Sequence, residues 1–160
     1  MQIVLILSLV AAAIGSGLVA GIFFAFSTFI MTAFSRIPAE QGIAAMNSIN
    51  VIIVRSPFMG LFVPTAILCI VIAVLAVIDW RGGASLLMLA GAALYVVASF
   101  LSTIIFNVPM NDALDKVSGS GPEAMAFWTT YLRDWTWWNH VRTVASLLAS
   151  VAFVRALMIV

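Results

Sequence analysis

The chain has 160 residues, of which 64% are hydrophobic and 8% are charged. A soluble domain carries about 25% charged residues, so this composition excludes a water-coated surface and makes lipid the solvent for most of the molecule. The net charge of +1 and the single cysteine, Cys69, exclude an electrostatic footprint for nucleic acid, an internal disulfide and a cysteine-based metal site.

A bilayer-spanning helix takes about 20 mostly apolar residues, and four stretches qualify. Residues 2–34 form the first. It has no basic leader and runs uncharged to Phe34. That is too long for the roughly 7–15-residue core of a secretory signal, so it reads as a retained membrane helix. Ala13, Gly17, Gly21 and Ala25 stand four apart and read as a seam for close helix packing. Residues 38–54 read as an amphipathic helix: Pro38 opens it, and Ile43, Met46, Ile49 and Ile53 recur at helical spacing. Such a helix lies in the membrane interface or folds back onto the bundle. The second span is residues 57–78, closed by Asp79-Trp80-Arg81-Gly82-Gly83. The third is residues 84–106, ended by Asn107-Val108-Pro109. After the soft stretch Val117-Ser118-Gly119-Ser120-Gly121, Pro122 opens a short interfacial helix over residues 122–134. The fourth span is residues 137–160.

In lipid only helices or closed barrels satisfy the backbone, and no period-two alternation is present. The expected fold is therefore all-α: a single membrane domain, residues 1–160, built as an integral membrane four-helix bundle. Short amphipathic helices occupy the two long loops on one face. Arg36, Arg55, Lys116 and Arg133, with Arg142 just inside, favour that face as cytoplasmic. The same residues are candidates for a site, so orientation stays open.

Polar side chains at membrane depth are costly and point to function. The cores of the first three spans hold no ionisable residue, which argues against proton-coupled pumps and exporters. The fourth opens with Trp137-Trp138-Asn139-His140-Val141-Arg142-Thr143. At about 100° per residue, Asn139, His140, Arg142 and Thr143 form one polar arc. His140 is the sole histidine, and imidazole is the side chain that changes charge between about pH 5 and 8. It is the candidate proton acceptor, or a structural histidine bonded to a neighbouring helix. One histidine is too few for a zinc or copper site, so no metal is expected. Arg142 can hold a developing negative charge or snorkel to water. The tryptophans can line a site or anchor the helix at the interface. In Asn107-Val108-Pro109-Met110-Asn111-Asp112, Pro109 interrupts the helical ladder, and Asn107 and Asn111 serve the freed backbone or face a ligand. Asn47, Asn50 and Arg55 add polar groups on the same face, and Arg55 is a candidate partner for Asp112 or Asp134.

The run Asn107-Val108-Pro109-Met110-Asn111, followed by Trp128, Tyr131, Trp135 and Trp138-Asn139-His140-Val141-Arg142-Thr143, resembles the anthrone oxygenase-like family of small membrane proteins. Phe23-Phe24-Ala25-Phe26, Met46 with Ile49-Asn50, and Pro57-Phe58 extend the resemblance over nearly the whole chain. It implies a four-helix membrane fold in a bacterial plasma membrane. For some members it implies oxidation of an anthrone to an anthraquinone by O₂ without a cofactor.

Two functional readings follow. In the first, the protein is a cofactor-independent oxygenase acting on a lipophilic aromatic molecule. Its catalytic candidates are His140, Arg142, Asn139, Asn107 and Asn111. Trp128, Tyr131, Trp135, Trp138 and Arg55 are the substrate-binding candidates. In the second, it is a non-enzymatic membrane module. It binds lipid or a small molecule, or serves as a small subunit of a larger membrane complex or homo-oligomer, and the polar cluster is a structural clasp. The resemblance favours the first. One cysteine excludes a dithiol redox carrier, and no ring of charges suggests a channel.

Overall fold

The computed structural model describes residues 2–117 and 121–160. The Ser118-Gly119-Ser120 part of the soft stretch lies outside them. Five helices and no strand are present among the described residues. They are α1 (Gln2–Phe34), α2 (Ala39–Ile53), α3 (Pro57–Ile78), α4 (Gly83–Asp115) and α5 (Pro122–Leu157). All but α2 are long and apolar enough to cross a membrane.

Antiparallel packing is visible in the side-chain pairs. Ser27 meets Thr143 at one level of α1 and α5, while Ser150 donates to the Ala13 carbonyl at another. Between α3 and α4 the chain turns on Gly82, whose φ of 59° suits glycine alone among common residues. An Asp79–Arg81 ion pair of 2.6 Å and a bond from the Arg81 amide to Ser85 Oγ close that turn. The opposite end carries α2 and the long ends of α4 and α5.

Two helices are longer than the sequence pattern suggests. The third span does not stop at Phe106 but continues through Pro109 to Asp115. The proline has no N–H, and its ring clashes with the carbonyl four residues earlier. The preceding turn relieves this by widening into a π-helical stretch, Thr103–Asn107, in which the Val108 amide bonds the Thr103 carbonyl. Likewise, no break separates residues 122–134 from the fourth span, because nothing between Asp134 and Trp137 ends a helix. Further widened stretches occur at Phe26–Ile30 and Leu94–Leu101. Hydroxyls serve the loosened carbonyls: Thr28 bonds Phe24, Ser102 bonds Ala98, and Thr103 bonds Ser99.

The buried side chains form two clusters. Leu9, Val19, Phe62, Cys69, Ile72, Met88, Tyr95 and Phe153 fill the middle of the four-helix bundle. Met31, Ile43, Met46, Leu114, Trp128, Tyr131 and Trp135 fasten α2 and the helix ends above it. Thus α2 folds back onto the bundle through Ile43 and Met46. Of the small-residue stripe, Ala13 is buried and Gly17 faces Ser150, whereas Gly21 has no neighbour within 4 Å. The closest helix approaches use other glycines: Gly15 against Thr65, Gly42 against Trp128 and Gly91 against Phe153. Outward-facing Ile3, Leu7, Ile67, Val74, Val97 and Leu147 are exposed, as lipid-facing residues are. Exposed Trp80 and Trp137 mark opposite ends of the bundle, where aromatic side chains favour the membrane interface. The protein is a membrane protein of helical-bundle architecture.

Candidate functional site

Where the two clusters meet, α1, α3, α4 and α5 leave a cavity of about 320 Å³ beneath α2. Its walls are aromatic and aliphatic: Phe23 and Phe26 from α1, Phe58 and Phe62 from α3, Phe100 from α4 and Trp135 from α5. Met46, Ile49 and Ile53 of α2 form the roof. The rings brace one another. Phe58 stacks on Phe62 with centroids 5.4 Å apart, and Phe62 touches Phe100 at 5.1 Å. A wall of this kind accepts a flat apolar molecule.

Polar groups enter this wall at few points. Arg142 lines the cavity and is only 3% exposed. Its guanidinium lies over the Phe23 ring at 4.3 Å and over Trp135 at 5.0 Å, where the ring faces attract a cation. It donates to Thr103 Oγ1 at 3.2 Å and to Asn139 Oδ1 at 2.8 Å. No carboxylate pairs with it among the described residues, whose ion pairs are Asp79–Arg81 and Arg133–Asp134. Burying a charge this way is expensive unless something compensates it.

Asn139 sits behind Arg142. Its Nδ2 donates to the Phe23 carbonyl and to Ser27 Oγ, both at 2.7 Å. The widened stretch of α1 begins three residues after Phe23, and the amide ties that loosened backbone to α5. Asn107, one turn beyond Thr103, donates to the Trp135 carbonyl at 3.3 Å and so joins α4 to α5. Asn111 Oδ1 accepts two bonds, from the Tyr131 hydroxyl at 2.8 Å and from Trp135 Nε1 at 2.9 Å. The second of these fixes the indole that lines the cavity.

Three residues that line the cavity each carry one fully buried side-chain atom without a hydrogen-bond partner among the described residues: Arg142 Nε, Asn107 Oδ1 and Asn50 Nδ2; Ser16 Oγ, Asn47 Oδ1 and Thr136 Oγ1, on residues outside the cavity lining, are in the same state. Buried polar atoms in folded proteins are nearly always bonded, to protein or to ordered water. Asp112 stands at the rim and, among the described residues, is the only carboxylate that lines the cavity. No three His, Cys, Asp or Glu side chains converge as a metal-binding set among the described residues.

The sequence candidates fall into three groups. Arg142, Asn107, Asn111 and Trp135 line the cavity, and Asn139 holds Arg142 from behind. Trp128 and Tyr131 lie in the upper cluster, stacked on each other at 5.5 Å, and support the wall without forming it. Trp138 stacks on Phe106 at 3.5 Å, outside the cavity. His140 and Arg55 face outward. The position of His140 follows from helix phase: once Trp135, Asn139 and Arg142 point inward, a residue about 100° from Asn139 points out. Arg55 makes no ion pair among the described residues, and Asp134 is taken by Arg133 at 2.6 Å.

Phe62, Phe100, Thr103 and Ser27 were not singled out by sequence, and Asp112 was named only as a candidate partner for Arg55. Thr103 and Asp112 carried a signal, as polar residues spaced about a turn from Asn107 or beside Asn111. Ser27 and the phenylalanines look like any others in an apolar helix.

No curated protein and no solved structure matches the chain. The family model described as anthrone oxygenase matches residues 58–152, a stretch that supplies the α3, α4 and α5 walls together with Asn107, Asn111, Asp112 and Arg142. Because that stretch is more than half of the 160 residues, the chain belongs to the anthrone oxygenase family.

Proposed function

We propose that the protein oxidises a flat, lipophilic, anthrone-like substrate with O₂ in the cavity beneath α2. The observation that carries this reading is Arg142: a buried cation without a counter-charge, held flat against two aromatic rings on the wall of an apolar slot.

An anthrone carries an acidic methylene opposite its carbonyl. Loss of one methylene proton gives an enolate whose negative charge rests on oxygen. Arg142, on the cavity wall, supplies the compensating positive charge in a dry site, where such an interaction is worth most. Asp112 is placed to take the proton, since it is the carboxylate on the rim and His140 faces away. The electron-rich enolate carbon then reduces O₂ and forms a carbon–oxygen bond, giving a hydroperoxide. Loss of the second proton from that carbon expels water as the O–O bond breaks. One anthrone and one O₂ thus give one anthraquinone and one water. The chain binds the ring, holds the charge and moves the protons. Membrane lipids surround it throughout, and the lipophilic aromatic is its small-molecule partner.

The test is turnover of emodin anthrone by the purified protein, compared with the spontaneous rate and with Arg142→Met. A rate above background that disappears in the variant supports the reading. A rate equal to background overturns it.

A further inference from the structure

We propose that the cavity is entered sideways from the bilayer, through a slot between α3 and α4 framed by Met59 and Val63 on one side and Ile104 and Val108 on the other. This rests on reading the cavity as a ligand site and not on the oxidation itself.

The four residues line the cavity. Ile104 and Val108 are also 49% and 40% exposed. A side chain that lines a cavity and also faces the outside stands at its mouth. Each pair is four residues apart, about one helical turn, so the two pairs form upright edges of a single slot. Elsewhere Phe23, Asn107, Trp135 and Arg142 are buried in the wall, and Met46 is buried in the roof.

The outside of the slot is hydrocarbon. Ile67 and Ile70, further along α3, and Val97 and Ile105 on α4 are all exposed apolar residues on membrane-spanning helices. At its upper end the slot meets Asp112 and the exposed Val54, both lining the cavity at the level where α2 covers the bundle. The opening therefore grades from polar at the interface to apolar in the lipid. A molecule with a flat apolar body and one polar edge fits that gradient. It slides in from among the acyl chains, with its polar edge kept high.

The route also preserves Arg142. An opening to water would hydrate the guanidinium and weaken its field, whereas an acyl-lined mouth keeps the cavity at low dielectric. The class of ligand follows: molecules that partition into the membrane, whose concentration in lipid, not in water, sets occupancy of the site.

The test reads access to the wall and needs no turnover, so loss of the oxygenase reading leaves it intact. Full-length protein carrying Cys69→Ala is placed in phosphatidylcholine vesicles, with a reporter thiol introduced as Phe100→Cys or, closer in size, Thr103→Cys. Pyrene maleimide dissolved in the bilayer labels the reporter. A trimethylammonium methanethiosulfonate added to the water does not. Adding Ile104→Trp or Val108→Trp, each confirmed folded by circular dichroism, abolishes pyrene labelling, whereas Ile67→Trp on the outer face of α3 leaves it unchanged. Labelling by the aqueous reagent at the bilayer reagent's rate would overturn the proposal. So would pyrene labelling that survives both tryptophans, or no labelling of either reporter.

Discussion

Arg142 donates through Nη2 to the side-chain oxygen of Asn139, 2.8 Å away, and Asn139 passes its own two protons to Phe23 O and Ser27 Oγ. A charged group is thus held by a neutral amide whose remaining bonds end on backbone and hydroxyl. No negative charge enters the chain of contacts, so the guanidinium keeps its full positive field toward the cavity.

This arrangement separates stability from activity at one residue. Arg142→Met removes a buried charge whose desolvation costs several kcal/mol, which outweighs the about 1–3 kcal/mol of leaving the Asn139 and Thr103 oxygens without that donor. Arg142→Met should therefore hold or raise the thermal midpoint in detergent, while turnover falls by about 10²–10³. A variant that loses both would make Arg142 a structural clasp.

Asn139→Ala should act in the opposite sense. It strips a partner from Arg142, from the Phe23 carbonyl and from Ser27. Leaving buried polar groups unmet costs about 1–3 kcal/mol, and more where one of them is charged. The expected result is a lower thermal midpoint, measured by differential scanning fluorimetry in detergent. An unchanged midpoint would show that water replaces the amide.

Asp112 and His140 offer a direct comparison of proton acceptors. Asp112→Asn should lower kcat by about 10²–10⁴. His140→Ala should leave kcat as it is, because the ring points out of the bundle. The reverse pattern would return the base to His140 and require α5 to turn.

Glycine substitutions test the packing. A Cβ at Gly42 would stand 2.6 Å from Cζ2 of Trp128. Gly42→Ala should therefore push the indole aside, loosen the roof and cost about 1–3 kcal/mol. Gly21→Ala meets nothing within 4 Å and should be neutral or stabilising by up to about 1 kcal/mol. Thermal midpoints of the two variants in the same detergent decide the matter.

Much of the architecture was legible before any coordinates. Long apolar runs interrupted by Asp79–Gly83 and by the residues flanking Ala39–Ile53 define the spans, because lipid demands unbroken helices and tolerates charge only at their ends. Asn107, Asn111, Asn139 and Arg142 stood out for the same reason, being polar where polarity is costly. Helix continuity at Pro109 was not legible: whether a proline ends a helix or only widens its preceding turn depends on the neighbours that hold it. The facing of His140 was also hidden, since a polar arc on a helical wheel does not say which of its edges meets the bundle. Nor could spacing alone separate Phe62 and Phe100, which wall the cavity, from Phe24 and Phe29, which face lipid.

The widened turns carry one more implication. A π-helical stretch holds a single surplus residue relative to regular pitch, so it behaves as a removable spacer. Excising one residue from Thr103–Asn107 would let α4 wind normally into its final two turns. Everything beyond would keep its facing, whereas winding all of the present residues at regular pitch would turn Asn111 and Asp112 off the chamber by about 100°. The facing of that short tail thus depends on the loosened turn absorbing one spare amino acid, and tightening that turn without excision is what would disarm the rim.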